Sequence, residues 1–516
     1  MKHYCITIFT VAFILFSFAS FAQKKTTIEI KHADKLKLEK GKNVNILIGH
    51  VFLKHKNMRM YCDRAYKYNE TNTIQAFGNI HIIQNDTLHM KGDKLYYNGN
   101  SRYARVRNNV ILNDTKVTLT TDSLDYDAEK NIGYYFNHGK VKDSINTLTS
   151  IIGQYHANEK LLCFQDSVIV NNPDYKMYSD TLKYTTETKI IMISGPTDIV
   201  GEKDTLYTEK GWYNTITKQV ELKKNNRAHR ESYFCYGDFF HIDNIKKTAL
   251  IKSNGILHDT INQIMLKANY IQAFKNRDYA YATDKAHFIQ IDKNKDSLFL
   301  HADTLSLSKD TINTTLHAHH NVKFFKSSMQ GICDSLTYTS VDSTIRLFKN
   351  PIVWASNNQI TGDHIRLEVG GKALKKFYVD KNSLIVSEAD TDMYNQIKGR
   401  NMIGYFKNNF IDYIDVKGNG QLLYFPLDKG AISGVNKTIC SDIKIYMKNK
   451  KLNSVVFLNK PDGTIFPLTK IEAKELRLKD FRWEKIKQPK SKEDIFTKSN
   501  KIIEDNKSQR IKKGVD

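Results

Sequence analysis

Proline is scarce, with 7 among 516 residues, cysteine numbers 6, and glycine reaches only 25. The shortage of proline and glycine excludes a collagen-like or proline-rich disordered chain. The cysteines exclude a disulfide-dense module. Cys5 precedes the first apolar run, and Cys62, Cys163, Cys235, Cys333 and Cys440 stand far apart, with no CxxC and no Cys/His pair at zinc spacing. Beyond the N-terminus no apolar stretch of about 18 residues occurs, which excludes a polytopic helical membrane protein. Catalytic signatures are missing too. The segment Gly430 to Thr438 imitates a phosphate-binding loop, but its Lys437 does not directly follow the second glycine, Gly434. No Ser/His/Asp order, nucleophile elbow or paired acid stands out. His317 and His319 share a strand face but lack a third ligand. The expectation is a non-enzyme with no catalytic residue, no metal and no cofactor.

What is present begins with Lys2 and His3, an apolar run from Ile6 to Phe18, and the small residues Ser20 and Ala22 flanking Phe21. This is the layout of a secretory signal peptide over 1–22, cleaved after Ala22. Cys5 lies ahead of the apolar run, where it is not placed for lipid attachment.

A repeat runs through the rest. Segments of the form Asp-x-apolar-x-Tyr recur as KGDKLYYN (91–98), TTDSLDYD (120–127), YSDTLKYT (178–185) and ICDSLTYT (332–339). With degenerate copies the anchors fall at 63, 93, 122, 153, 180, 209, 238, 269, 303, 334, 363, 401, 442 and 474. The interval is nearly constant as far as 363 and widens over the next two steps. Between the anchors sits a second element, seen in AFGNIHIIQNDT (76–87), VRNNVILNDT (106–115) and HHNVKFF (319–325). Its turn residue precedes the following Asp at a nearly fixed distance, as from Asn79 to Asp93, Asn109 to Asp122 and Asn321 to Asp334. Each unit therefore holds two extended pieces. The same recurrence gives Asp93, Asp122, Asp180, Asp303, Asp334 and Asp363 a structural task, such as capping a turn or accepting a backbone N–H, in preference to a catalytic one.

Inside these pieces the apolar period is two: Ile80/Ile82, Leu88/Met90, Val110/Leu112, Val117/Leu119, Val168/Val170 and Val322/Phe324. The chain reads as all-β from about 27 to 483. Three architectures fit a repeat of this length: an antiparallel jelly roll or sandwich, a parallel β-helix and a transmembrane barrel. Charged residues crowding the strands weigh against the barrel. Periodicity leaves the other two open.

The run from Gly78 to Asn98, repeated at 108–115 and 121–126, resembles the OstA-like (LptA-type) lipopolysaccharide-transport family; Gly49-His50-Val51 and Cys62-Asp63-Arg64-Ala65 look like the first copy. The likeness is clearest over 45–215 and recurs to about 370. It implies an elongated antiparallel β-jelly roll, built from repeated strand pairs and open at both ends, whose interior carries lipid. The twelve alternating residues named above would line that groove. The implied domains are an OstA-like jelly roll at 27–235 and a second OstA-like region at 236–483, more divergent after about 370. The implied location is the periplasm, with or without attachment to the outer membrane.

The balance of 78 Lys+Arg over 55 Asp+Glu, +23 in all, suits anionic glycolipid heads such as those of lipopolysaccharide, while export argues against nucleic acid. Open sheet edges would join other jelly-roll transport proteins of the two membranes, or join copies of this chain head to tail. Segment 484–516, with ten basic and six acidic residues, reads as a basic tail without fixed structure. The rival expectation is a lipid-free structural or adhesive β-repeat protein of the envelope.

Overall fold

The computed structural model describes residues 26–497 apart from 40, 42, 292–295, 372, 408–409 and 449–450. The expected signal peptide and residues 498–516 lie outside the described residues. The described residues form an all-β jelly roll whose strands pair antiparallel and are joined by turns and short loops; after the last strand, Asp462–Phe466, only short 3-10 segments and extended chain follow. A parallel β-helix is thereby excluded. The chain divides into two compact units, 1–202 and 203–516.

The repeat is built on a bend. Thr73–Gln84, Tyr103–Asn113, Leu161–Asn172 and Thr314–Lys326 each run through two successive left-handed residues: Gly78/Asn79, Asn108/Asn109, Asp166/Ser167 and His320/Asn321. Asparagine and glycine tolerate this conformation better than other residues, hence the Asn-rich spelling of the second element. At each such point the register to the neighbouring strand shifts. The strand turns a corner there and its two halves join two facing layers.

The recurrent aspartate sits on the neighbouring strand opposite the corner. Asn79 donates to Asp63 at 2.9 Å, Asn109 to Asp93 at 2.8 Å, Asn254 to Asp238 at 2.8 Å and Asn321 to Asp303 at 2.7 Å. The backbone N–H of Asp238 and of Asp303 donates in turn to the carbonyl of the first bend residue, Ser253 or His320, both at 3.0 Å. The task is structural, but the carboxylate's partner is chiefly a side-chain amide. That amide belongs to the bend that follows the aspartate in the chain, so Asp93 holds Asn109 and not the preceding turn residue Asn79. Strand parity also flips at the aspartate. In Leu88–Asn98 the buried residues are Leu88, Met90 and Gly92 before it and Leu95 and Tyr97 after it, so the apolar face stays inward around the corner.

In unit 1 the layers are packed without slack. A β-carbon built on Gly139 or Gly153 would stand 2.4 or 2.3 Å from the Tyr135 ring, so only glycine fits at these two close approaches. Opposite the bends, where the two layers could part, a polar seam joins them. The fully buried Tyr97, Tyr126, Tyr155 and Tyr184 recur at a constant interval. Tyr97 Oη lies 2.7 Å from His55 Nδ1, Tyr126 meets Asn131, Tyr155 donates to Asp114 and Tyr184 to Asp143. Lys160 reaches Asp114 at 2.6 Å and Lys189 reaches Asp143 at 2.9 Å. Buried carboxylates need such partners.

Burial by itself would raise the Asp143 carboxyl. The Tyr184 hydroxyl, the N–H groups of Asn146 and Ile145 and the Lys189 ammonium outweigh it and hold the group at about 2. Asp114 is lowered against the same burial by Lys160, Tyr155 and Thr115. A folded-state value below the ordinary carboxylate range gives stability that is present above about pH 4 and lost as pH falls through the folded value. Acid titration of the intact chain should therefore show unit 1 losing stability between about pH 4 and 2. Asp143→Asn should remove about 2 kcal/mol at neutral pH and flatten that part of the profile in urea melts.

Candidate functional site

The register of the seam continues into unit 2 with different residues. The first such positions of unit 2, four residues after the recurrent acid or its equivalent, are the buried Tyr213 and then Ile242; the ones that follow carry Ala273, Leu307, Tyr338 and Leu367. The facing positions, five residues after the second bend residue, carry Asp259, Gln290, Lys326 and Ala355 instead of His55, Gln84, Asp114 and Asp143. Gln290, Lys326, Tyr338, Ala355 and Leu367 now border an open cavity of about 330 Å³. Its walls are apolar and come from both layers, with Phe288, Leu300, Leu316, Phe324, Leu374 and Phe406 prominent. Several of these, among them Phe288, Leu316 and Phe406, are only half-buried. An apolar, water-accessible lining of this kind is typical of pockets that take apolar ligands.

A few polar side chains also line the cavity. Gln290, Lys326 and Ser328 border the cavity, and Lys326 Nζ lies 4.0 Å from Asp296. The arrangement can shelter hydrocarbon beside a small number of polar groups.

Of the twelve residues expected to line a groove, Ile80, Ile82, Leu88, Met90, Val110, Leu112, Val117, Leu119, Val168 and Val170 lie in unit 1, each at most 5% exposed. They meet in the closed interior behind the tyrosine seam. In unit 2, Phe324 borders the cavity, while Val322 is fully buried one pleat away. Phe288, Leu300, Leu316 and Phe406 were not singled out from the sequence. The signal that marks them is the disappearance of the Tyr/Asp pair from the repeat.

His317 and His319 stack at 5.5 Å, and His317 Nδ1 contacts Thr337 at 3.0 Å. The glycine-bearing segment Gly430 to Thr438 forms a tight hairpin, Leu427–Asp428 with Ala431–Ile432, leading into the strand Val435–Lys448. It does not open a helix, as a phosphate-binding loop would.

Residues 484–497, expected within an unstructured tail, instead belong to an extended strap that runs along the outer face of unit 2. Two buried glutamines read its backbone. Gln396 donates to Leu476 O at 2.9 Å and accepts from Leu478 N at 2.8 Å; Gln359 donates to Arg482 O at 2.9 Å and accepts from Glu484 N at 2.7 Å. Each amide thus replaces a strand partner for residues i and i+2. Trp483 and Phe481 pack on Tyr394, Gln488 bonds Gln330, and Phe496 covers His287 and His301, whose imidazoles burial pushes down. Because Gln359 and Gln396 bind main-chain groups of the strap, its composition did not reveal these bonds.

The described residues define the class as a two-layer β-jelly roll with an apolar cavity between the layers of unit 2. Residues 25–180 match the family model described as OstA-like protein. Among solved structures it is similar to LptH of Pseudomonas aeruginosa, described as the LptA-homologous periplasmic component of the conserved lipopolysaccharide transport device. The identity is 12%, the match covers 23% of this chain and 82% of that one, and the TM-score is 0.20. No curated protein matches the sequence. Among the described residues no helix is long and apolar enough to cross a membrane.

Gln396→Ala leaves a buried carbonyl and a buried N–H of the strap unpaired. It should cost about 1 to 3 kcal/mol in urea unfolding followed by tryptophan fluorescence, and should expose the strap to limited proteolysis. Gln359→Ala should do the same.

Proposed function

We propose that the protein is a non-catalytic periplasmic lipid-binding bridge that helps carry lipopolysaccharide, or a related anionic glycolipid, from the inner to the outer membrane. The observation that carries this reading is the exchanged seam: where unit 1 is zipped by Tyr, Asp and Lys, unit 2 presents hydrocarbon walls around an open cavity. The OstA-like match of residues 25–180 supports the same substrate class. Each methylene kept from water is worth about 0.8 kcal/mol, so one acyl chain of ordinary length costs on the order of 10 kcal/mol to expose. A cavity lined by Leu316, Phe288 and Phe406 removes part of that cost while the head stays wet.

Such a path has no motor, and direction must come from partners. The first sheet edge is suited to joining other jelly rolls. Lys35–Glu39 pairs on one side with Val44–His55, and Leu36 and Leu38 are 54% and 74% exposed. Head-to-tail self-association would use the same edge chemistry.

The dry interior of unit 1 favours a second reading, a lipid-free structural or adhesive β-repeat of the envelope. Depleting the protein separates the two, since only the bridge requires glycolipid to accumulate at the inner membrane. Photocrosslinkers at Leu316 and Phe324 should capture glycolipid, which mass spectrometry of the mature chain would identify. At Ile82, Leu112 and Val170 capture requires the seam to open. Protein contacts alone at all five positions would overturn the bridge reading.

A further inference from the structure

Beside the apolar cavity lies a second, larger recess of about 870 Å³, roofed by the C-terminal strap. The two share Ser328 and Ala355, so the mouth of one meets the wall of the other. Their linings differ in kind. The recess presents Ser327, Ser387 and Asn357 from the strands, and Trp483, Lys485, Gln488 and Lys490 from the strap. Trp354, only 3% exposed, forms part of its wall, and its indole N–H has no acceptor among the described residues. A buried indole N–H normally finds a partner.

The charged groups bordering the recess are Lys485, Lys490 and Glu388, with Lys485 already paired to Glu388 at 2.5 Å. A phosphate could share Lys485 with that carboxylate and take Lys490 as well. The hydroxyls and amides suit a sugar, and tryptophan faces are apolar platforms on which pyranose C–H groups stack. A small saccharide fits the volume; an acyl chain does not fit the polarity.

We propose that the strap builds a headgroup site, in which a phosphorylated saccharide sits between Trp354, Trp483, Lys485 and Lys490 while its acyl chains enter the adjoining cavity. This rests on the lipid reading of that cavity and assigns the other end of the same molecule. The strap, on this account, is a recognition element and not only a brace.

The test uses the mature full chain and three probes: palmitate, a tetraacylated glucosamine disaccharide, and the 1-phosphate of that disaccharide. The double charge reversal Lys485→Glu/Lys490→Glu alters two exposed side chains. It should weaken the phosphorylated glycolipid at least tenfold and leave palmitate and the unphosphorylated glycolipid within twofold. Trp483→Ala should weaken both glycolipids and spare palmitate; if that variant fails to fold, the charge reversal still decides. An unchanged affinity for the phosphorylated glycolipid, or an equal loss for palmitate, overturns the headgroup site. Failure of palmitate to bind the wild-type chain overturns the cavity reading itself.

Discussion

The structure depends on the bond between a recurrent aspartate and the left-handed bend of the next strand. Two consecutive residues at positive φ cost conformational energy unless the surroundings fix them. Asp63, Asp93, Asp238 and Asp303 do so with a carboxylate on the bend's asparagine, and Asp238 and Asp303 also donate an N–H to the bend's carbonyl. Once bent, a single strand supplies both layers, and the apolar face is kept inward by the parity flip at the aspartate. Everything between the layers follows from that geometry, because the bends fix one side and leave the opposite side free to be sealed or open.

What the free side carries decides what the interior can do. Tyrosine with a buried carboxylate and a lysine gives a satisfied polar seam, strong when complete and costly when one member is missing. Its hydrogen bonds hold the layers at a separation that the packed core of unit 1 fills. Replacing the pairs by Tyr338 with Gln290 and Leu367 with Lys326 removes that clasp, and half-buried side chains at Phe288 and Leu316 then face a void. Packing that stays open in this way is unfavourable for an isolated fold. It becomes favourable when hydrocarbon fills it.

Much of this was legible in the sequence. The steady recurrence of the anchors, the alternation of Ile80/Ile82 or Val110/Leu112, and the structural role of the aspartates all follow from local chemistry. Two things were not. The seam pairs residues from separate repeats, as in His55 with Tyr97 or Asp143 with Tyr184, and nothing local distinguishes these tyrosines from ordinary strand aromatics. Apolar alternation likewise could not tell the closed interior of unit 1 from the cavity of unit 2, since Leu112 and Phe324 obey the same rule. The strap was hidden for a related reason. Gln359 and Gln396 bind main-chain groups, so any extended segment would satisfy them and the basic composition of 484–497 carries no trace of it.

A carrier of amphiphiles has to be stiff enough to keep its walls apart and vacant enough to admit a tail, and these demands conflict in one core. Dense packing transmits strain and resists opening; vacancy forfeits contacts. On the proposed lipid-carrying reading, the conflict is resolved by position along one repeat. Unit 1 keeps the clasp and the filled core, while unit 2 gives up the clasp and is supported from outside by a strap whose hydrogen bonds touch Gln330, Gln359 and Gln396 on the layer that forms one wall of the cavity. Support from outside leaves the inner face free of cross-links. That is the one placement in which a brace can hold an apolar wall in shape without occupying the space the wall encloses.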